Sequence, residues 1–304
     1  MRLEERSRLR QRGGLLAGEQ GFALLMVSPG LLVLVLTTTF PLAYLIWSSC
    51  QSINLAMPFL DGFVGLDNYR TMLQDGRFWH AMQLTGIYTV SSVLLQVAIG
   101  LGLALLVMQI PAGQWIFRIV AILPIVLAPV VVGLFWRTLM LAPGFGILDF
   151  IVQALGFGQV NWLGAPTPAL VSVIIIHTWQ WTPFAFLVFL ASLAALPPDL
   201  YEAARIDKAN AVRRFIHITL PLIRPAIVIV IIMRSMIALS AFAAIFAATG
   251  GGPGTATEIL NLYAYKTSFV ELNFGYGSAL AVALLLITLG VSGVLFHLRT
   301  ARRG

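Results

Sequence analysis

Pro197-Pro198-Asp199-Leu200-Tyr201-Glu202-Ala203-Ala204-Arg205-Ile206-Asp207-Lys208-Ala209, continuing through Arg213-Arg214 to Leu220-Pro221 and Pro225, is a charged island between two long apolar runs. Local rules predict a helix there. Asp199 caps a helix beginning at Leu200, and Glu202 reaches back to the cap's amide, as a capping box requires. Ala203 and Ala204 favour helix and carry no bulk, so another protein can approach that surface closely. Asn210 caps a second short helix running to Ile216, and Pro221 and Pro225 belong in the first turns of the helix that follows. The expectation is a helix-turn-helix foot, 196–221, on one face of a membrane.

Composition sets the class around that island. Of 304 residues, 59% are hydrophobic and only 10% charged, against about 25% charged in soluble domains. Mean hydropathy is +0.91. The net charge of +7 lies in the flanks of apolar runs rather than in one patch, which argues against a nucleic-acid partner. The single cysteine, Cys50, excludes an intrachain disulfide and any cysteine-based metal site.

Apolar runs of spanning length, roughly 20 residues, recur along the chain. A basic arm, 1–21, carries Arg2, Arg6, Arg8, Arg10 and Arg12 ahead of the first, 22–47. That run exceeds the roughly 7–15 residues of a signal-peptide core, so it reads as a retained helix despite the faintly lipoprotein-like Ser48-Ser49-Cys50. Further spans are predicted over 84–108, 118–140, 169–195, 222–247 and 274–298, and 299–304 is a tail. Pro124 and Pro129 predict kinks in the third span. The Gly- and Pro-rich loop 142–168 is expected to hold a short interfacial helix over 148–155. No internal repeat is visible.

Lysine and arginine counts orient the six spans. With the N-terminus inside, the inner segments hold fourteen and the outer loops three (Arg70, Arg77 and Lys266). By the positive-inside rule both termini and the foot are cytoplasmic.

The foot is also where a family resemblance becomes specific. Glu202-Ala203-Ala204, Asp207, Ala209, Ile218, Leu220-Pro221 and Pro225 resemble the "EAA" loop of permease subunits of binding-protein-dependent ABC importers. In that family the loop is the coupling foot that docks into a cleft on the ATPase. The family pattern has Gly where this chain has Lys208, so either the turn differs here or it needs no special conformation. Phe63 to Arg70, Gly133 to Arg137, Trp162-Leu163-Gly164, His217 to Pro221 and Thr249 to Pro253 extend the resemblance to nearly the whole chain. They are most similar to the first permease subunit of the maltose-type carbohydrate-uptake branch.

The resemblance implies an all-α membrane protein of six transmembrane helices, with the type I ABC importer permease fold and both termini cytoplasmic. It implies a multi-pass protein of the bacterial cytoplasmic (inner) membrane, residues 22–298 forming the permease domain. A second homologous permease, two ATPase subunits, an external solute-binding protein, membrane lipid and a sugar-like small molecule are the implied partners. Asp199, Glu202, Ala203, Ala204, Asp207, Lys208 and Ala209 are the implied ATPase-coupling residues. No cofactor belongs to this chain, ATP and Mg residing on the ATPase. The residues agree: neither lysine, Lys208 nor Lys266, follows a glycine, so no Gly-Lys-Ser/Thr phosphate cradle exists.

Polar residues inside spans mark candidate pathways, because they are costly there. His177, Gln180, Trp181 and Phe184 share one face of the fourth span. Aromatic faces with amide and imidazole donors suit a sugar. The resemblance carries substrate contacts onto these four and onto Arg234, Ser235, Ala238, Ser240 and Ala241. A lone His or Gln also serves to bond a neighbouring helix. Arg234 either lines the aqueous pathway or pairs with a carboxylate of another chain, since no acidic residue falls in any predicted span. Family members often carry a basic residue and an Asp where this chain has Ser240 and Ala243, which makes the pathway more apolar here. Arg137, near an outer helix end, is expected to snorkel.

An enzyme or metal site finds no support. His80, His177, His217 and His297 fall on separate segments without ligand spacing, and no carboxylate pair lies in a span. An ion-coupled secondary transporter is the alternative class, and it usually uses the intramembrane Asp or Glu that these spans lack.

Overall fold

The computed structural model describes residues 19–110, 113–156 and 158–300, most of them helical. The arginines of the basic arm, with Arg302 and Arg303, lie outside those residues. Five helical runs are long and apolar enough to cross a bilayer, and a sharply bent pair makes a sixth if taken as one span.

Helix α1 (Glu19–Ser49) is followed by a small antiparallel pair, β1 (Gln51–Ser52) with β2 (Gly62–Phe63). Then come α2 (Asp67–Gln74) and the long α3 (Gly76–Met108). At the centre α3 packs against α7 (Pro166–Ala194). A Cβ on Gly100 would stand 2.8 Å from Ala185 Cβ and 2.9 Å from Phe186 N, so only glycine permits this close helix approach.

The third predicted span is broken rather than kinked. Helix α4 (Gln114–Val126) and α5 (Pro129–Phe135) meet at 98°. The ring of Pro129 excludes the helical region for the preceding residue, and Ala128 is extended at φ −60°, ψ 136°. Pro129 then starts the next helix at N1, where its missing N–H costs nothing. Beyond it, Leu141 N–H reaches back five residues to Trp136 O, closing a π-turn over Trp136–Met140. A short helix is present in the loop expected to hold one, as α6 (Ile147–Ala154).

The foot also differs from expectation. Helix α8 (Pro198–Ile206) begins two residues early, with Pro197 at the N-cap and no side-chain cap bond. Two prolines decide this, one held extended and one at N1, so Asp199 lies in the first turn and the Asp199–Glu202 capping box does not form. Asn210 does cap α9 (Ala211–Arg214), accepting from Arg213 N–H at 2.8 Å. That helix does not stop at Ile216. It runs through a π-turn (Phe215–Thr219) into α10 (Leu220–Leu239), one run from Ala211 to Leu239. The π-turn shifts the bonding ahead of Pro221, which has no N–H to give: Leu220 N–H bonds Phe215 O. The fifth span thus ends at Leu239, not Ala247, and α11 (Ala243–Thr249) follows a break at 240–242.

Helices α12 (Leu260–Phe269) and α13 (Phe274–Thr300) complete the chain. Packing fixes the directions. Ala104 and Val107 of α3 cluster with Phe189 and Leu193 of α7 and with Ile223 of α10, so the two long helices run parallel and α10 returns between them. At the other end Phe78 of α3 clusters with Leu260 of α12 and Tyr276 of α13. Ser48 of α1 bonds Ser278 of α13 at 3.0 Å. The N-terminal end of α1 and the C-terminal end of α13 therefore point toward the foot.

Candidate functional site

The foot is built by a turn that joins two helices. Lys208 N–H bonds Arg205 O at 3.0 Å and Ala209 N–H bonds Ala204 O at 2.9 Å. That is the double closure of a Schellman motif, with Lys208 at the position glycine usually takes. Lys208 is left-handed, at φ 55°. The turn keeps the special conformation although its residue is not glycine, so neither a changed turn nor an unconstrained one describes it. Holding a side chain there costs about 1–2 kcal/mol.

The two alanines divide their work: Ala204 is buried against the chain, and Ala203 faces outward with Glu202 and Asp199. Asp207 and Lys208 are exposed and Ala209 half-buried. Tyr201 Oη and Thr219 Oγ1 are 2.8 Å apart, tying α8 to the base of α10, so a push on the foot meets a helix that runs on toward the middle of the bundle.

A second constellation lies within the bundle. Arg234 on α10 is 0% exposed. Its Nε donates to Gln96 Oε1 at 2.8 Å, its Nη2 is 3.2 Å from His177 Nε2, and its guanidinium lies 4.4 Å from the Trp181 ring centre. A guanidinium only donates, so His177 Nε2 accepts and the ring proton sits on Nδ1. The ion pairs formed among the described residues all lie around Glu258 and Arg77, so no carboxylate joins Arg234. Arg234 Nη1 and the buried Tyr88 hydroxyl have no partner among the described residues. Within this chain an amide, an imidazole and an indole enclose Arg234.

The residues foreseen with it scatter. Gln180 donates to Leu127 O at 3.2 Å, the carbonyl freed where α4 ends. Phe184 packs in the cluster below, and Ala238 is buried against α3 and α7. Ser235 is buried beside a groove of about 380 Å³ between α3, α10 and α13. Ser240 is exposed and Ala241 half-buried at the second break. There Asn261 donates to Ser240 O at 3.1 Å and to Ala241 O at 3.3 Å. Each break in a helix therefore has a side-chain amide on its freed carbonyls. The two short segments beyond the breaks pack together: a Cβ on Gly133 of α5 would meet Ala244 O of α11 at 2.5 Å.

Gln96, Tyr88 and Asn261 were not foreseen. A lone amide in the apolar run 84–108 was the available signal for Gln96. Arg137 is exposed, as a snorkelling arginine would be.

The end of the bundle opposite the foot is clamped by charge. Glu258, 1% exposed, accepts from Arg77 Nε at 2.7 Å and Lys266 Nζ at 2.6 Å, and Arg77 also bonds Glu271 at 2.6 Å. Burial opposes ionisation of Glu258, but hydrogen bonds from Arg77 and Lys266 outweigh it and hold the carboxyl below its ordinary value. Asp75 accepts from Tyr263 and Tyr276, and burial together with the Asp75 bond pushes the Tyr263 hydroxyl up to about 12.

Comparison with known proteins gives these features a setting. Residues 96–303 match the family model described as the binding-protein-dependent transport system inner membrane component. The sulfoquinovosyl glycerol transport system permease SmoG of Agrobacterium fabrum is 34% identical, over 99% of this chain and 97% of its own. The trehalose/maltose transport system permease MalF of Thermococcus litoralis is 35% identical, over 91% and 92%. A crystal structure of a bacterial ABC transporter involved in import of the acidic polysaccharide alginate has the same fold. Its TM-score is 0.78 at 22% identity, covering 93% of this chain and 95% of that one. This chain belongs to the family of inner membrane components of binding-protein-dependent transport systems, as a multi-pass, non-catalytic permease component of an ABC importer.

Proposed function

We propose that the imported solute is a sugar or a related polyol or glycoside, received from an external solute-binding protein and passed across a bacterial cytoplasmic membrane by alternating access. The relatives' transport of sulfoquinovosyl glycerol, trehalose and maltose supports that class. A second permease completes the pathway, and two ATPase subunits supply ATP and Mg. Both termini and the foot face the cytoplasm, with 1–21 an arm, 22–298 the permease domain and 299–304 a tail. The foot, through Asp199, Glu202, Ala203, Ala204, Asp207, Lys208 and Ala209, receives the ATPase stroke. His177, Gln180, Trp181, Phe184, Arg234, Ser235, Ala238, Ser240 and Ala241 lie along α7, α10 and the break after α10 and contribute separate parts of the substrate path, with Ser240 exposed and Trp181, Phe184 and Ala241 half-buried.

The observation that carries the coupling role is the foot's build. It combines a rigid turn, an outward small residue at Ala203 and a hydrogen bond from Tyr201 to the base of α10. Ala203→Asp tests it. A charge at a packed contact left without a partner costs several kcal/mol, more than the roughly 1–3 kcal/mol that typically couples two sites. Reconstituted with its partners, the variant loses uptake and releases or uncouples the ATPase, while affinity for the binding protein is unchanged. Full transport with unchanged ATPase stimulation contradicts the reading.

A further inference from the structure

The cluster around Arg234 leaves a charge unbalanced and two donors unfilled. Gln96 Oε1 and His177 Nε2 accept from the guanidinium, and the Trp181 ring lies over it. An amide, an imidazole that accepts at Nε2 and an indole all lack negative charge. Helices α3, α4, α5, α7, α10 and α13 contain no aspartate or glutamate. The interior of the bundle therefore holds a positive charge that its own helices do not neutralise, in surroundings where an ion is costly.

The unfilled donors sit beside that charge. Among the described residues Arg234 Nη1 has no acceptor, and the Tyr88 hydroxyl has no partner either. Both residues are 0% exposed. The Tyr88 and His177 ring centres are 5.1 Å apart, and the same imidazole is 3.2 Å from Arg234 Nη2, so both donors belong to one cluster. A neutral hydroxyl fills a donor and leaves the charge as it was. An anionic oxygen does both at once, because charge-assisted bonds to a guanidinium also balance it. Of the five residues, only Trp181 is half-buried; Gln96, His177, Tyr88 and Arg234 are all buried.

We propose that the imported solute is anionic, a sugar or glycoside bearing a carboxylate, sulfonate or phosphate, and that Arg234 selects it with Tyr88 as the second donor. This rests on the sugar-import reading and names the charge class which that reading leaves open. The solute reaches the cluster from the side of Trp181. Displacement of the indole uncovers the guanidinium, while the bond from Nε to Gln96 keeps it in place. A cationic solute is repelled at the same point, and a neutral one gains hydrogen bonds without charge balance.

The test has two parts. The cognate binding protein is titrated calorimetrically with a panel of neutral sugars and polyols and their uronate, sulfonate and phosphate counterparts. An acidic member is expected to bind roughly tenfold more tightly than its neutral counterpart. Uptake of that pair is then measured in proteoliposomes holding the complete importer, with the same loaded binding protein in every arm. Arg234→Gln is expected to slow the acidic solute about tenfold or more and the neutral one far less. Arg234→Lys recovers part of the rate, since it keeps the charge without the planar fork. Tyr88→Phe removes a hydroxyl that has no partner, so the complex loses no thermal stability, yet acidic uptake falls about threefold.

If only neutral members bind and are imported, the anionic class is overturned and the sugar reading stands. If the binding protein takes no sugar or polyol of either kind, both fall. Equal slowing of the two solutes by Arg234→Gln, with no recovery in Arg234→Lys, makes Arg234 structural and overturns its selecting role. Should Arg234→Gln not assemble, Tyr88→Phe decides: an equal effect on both solutes, or none on the acidic one, overturns the proposal.

Discussion

Arg234 offers a prediction whose sign is unusual. Replacing Gln96 by Leu removes the 2.8 Å acceptor of Arg234 and leaves a fully buried guanidinium held by His177 at 3.2 Å and the Trp181 face. Stranding a buried charge in this way costs about 3–5 kcal/mol. Replacing Arg234 by Met keeps much of the volume and takes the charge away with its desolvation cost. It leaves Gln96 Oε1 and His177 Nε2 without a donor, each worth about 1–3 kcal/mol, and forfeits a cation–π contact of about 0.5–2 kcal/mol. Relief of the buried charge offsets part of this, so the net loss is about 2–4 kcal/mol.

In the double variant the stranded charge and one stranded acceptor disappear together. Arg234→Met on a Gln96→Leu background should therefore stabilise, giving a coupling energy larger than the roughly 2–4 kcal/mol that Arg234→Met costs alone. For a chain of this size that is a shift of roughly 2–4 °C per kcal/mol. Thermal unfolding midpoints of the four purified complexes in detergent measure it. Strictly additive midpoints, or a Gln96→Leu variant as stable as wild type, would refute the view that Arg234 is held chiefly by an amide of its own chain. Uptake should be lost in Arg234→Met even where the complex remains assembled.

Two other expectations follow from the packing. Gly133→Ala brings a Cβ to 2.5 Å from Ala244 O and 2.8 Å from Ala247 Cβ. Backbone has to yield, so about 1–3 kcal/mol of stability and most transport should be lost, read as a lowered midpoint and uptake rate. Glu258 has a folded pKa below its ordinary value near 4.5, so its contribution is present above that value and lost as pH falls through the depressed one. Glu258→Gln should cost about 1–3 kcal/mol near neutral pH, the cations being partly exposed. It should also remove that part of the acid limb from the stability profile.

The apolar runs made most spans legible, because a stretch long enough to cross a bilayer has few other uses. What the sequence concealed were the places where a distant residue decides. Pro129 announced a bend, but a right-angle break also needs Gln180, more than fifty residues on, to take the Leu127 carbonyl. The end of the fifth span at Leu239 is hidden in a run that stays apolar to Ala247, and Asn261 makes the break tolerable. At the foot the Asp199 cap was outcompeted by two prolines immediately before it. The Lys208 turn was misjudged because propensity argues from cost alone, while the structure keeps the costly conformation. Arg234 was correctly marked as exceptional, but its partners lie on two other helices, and a single sequence does not pair them.

In the proposed assembly one end of this bundle meets an ATPase and the other meets a solute-binding protein. A photo-cross-linking residue placed singly at Ala203 or at Gly254 in the assembled, membrane-reconstituted transporter tests that arrangement. The Ala203 probe is expected to capture the ATPase subunit and never the binding protein, and the Gly254 probe the binding protein and never the ATPase. Capture of the binding protein at Ala203, or of the ATPase at Gly254, would contradict the assignment of the foot and the orientation of the chain together.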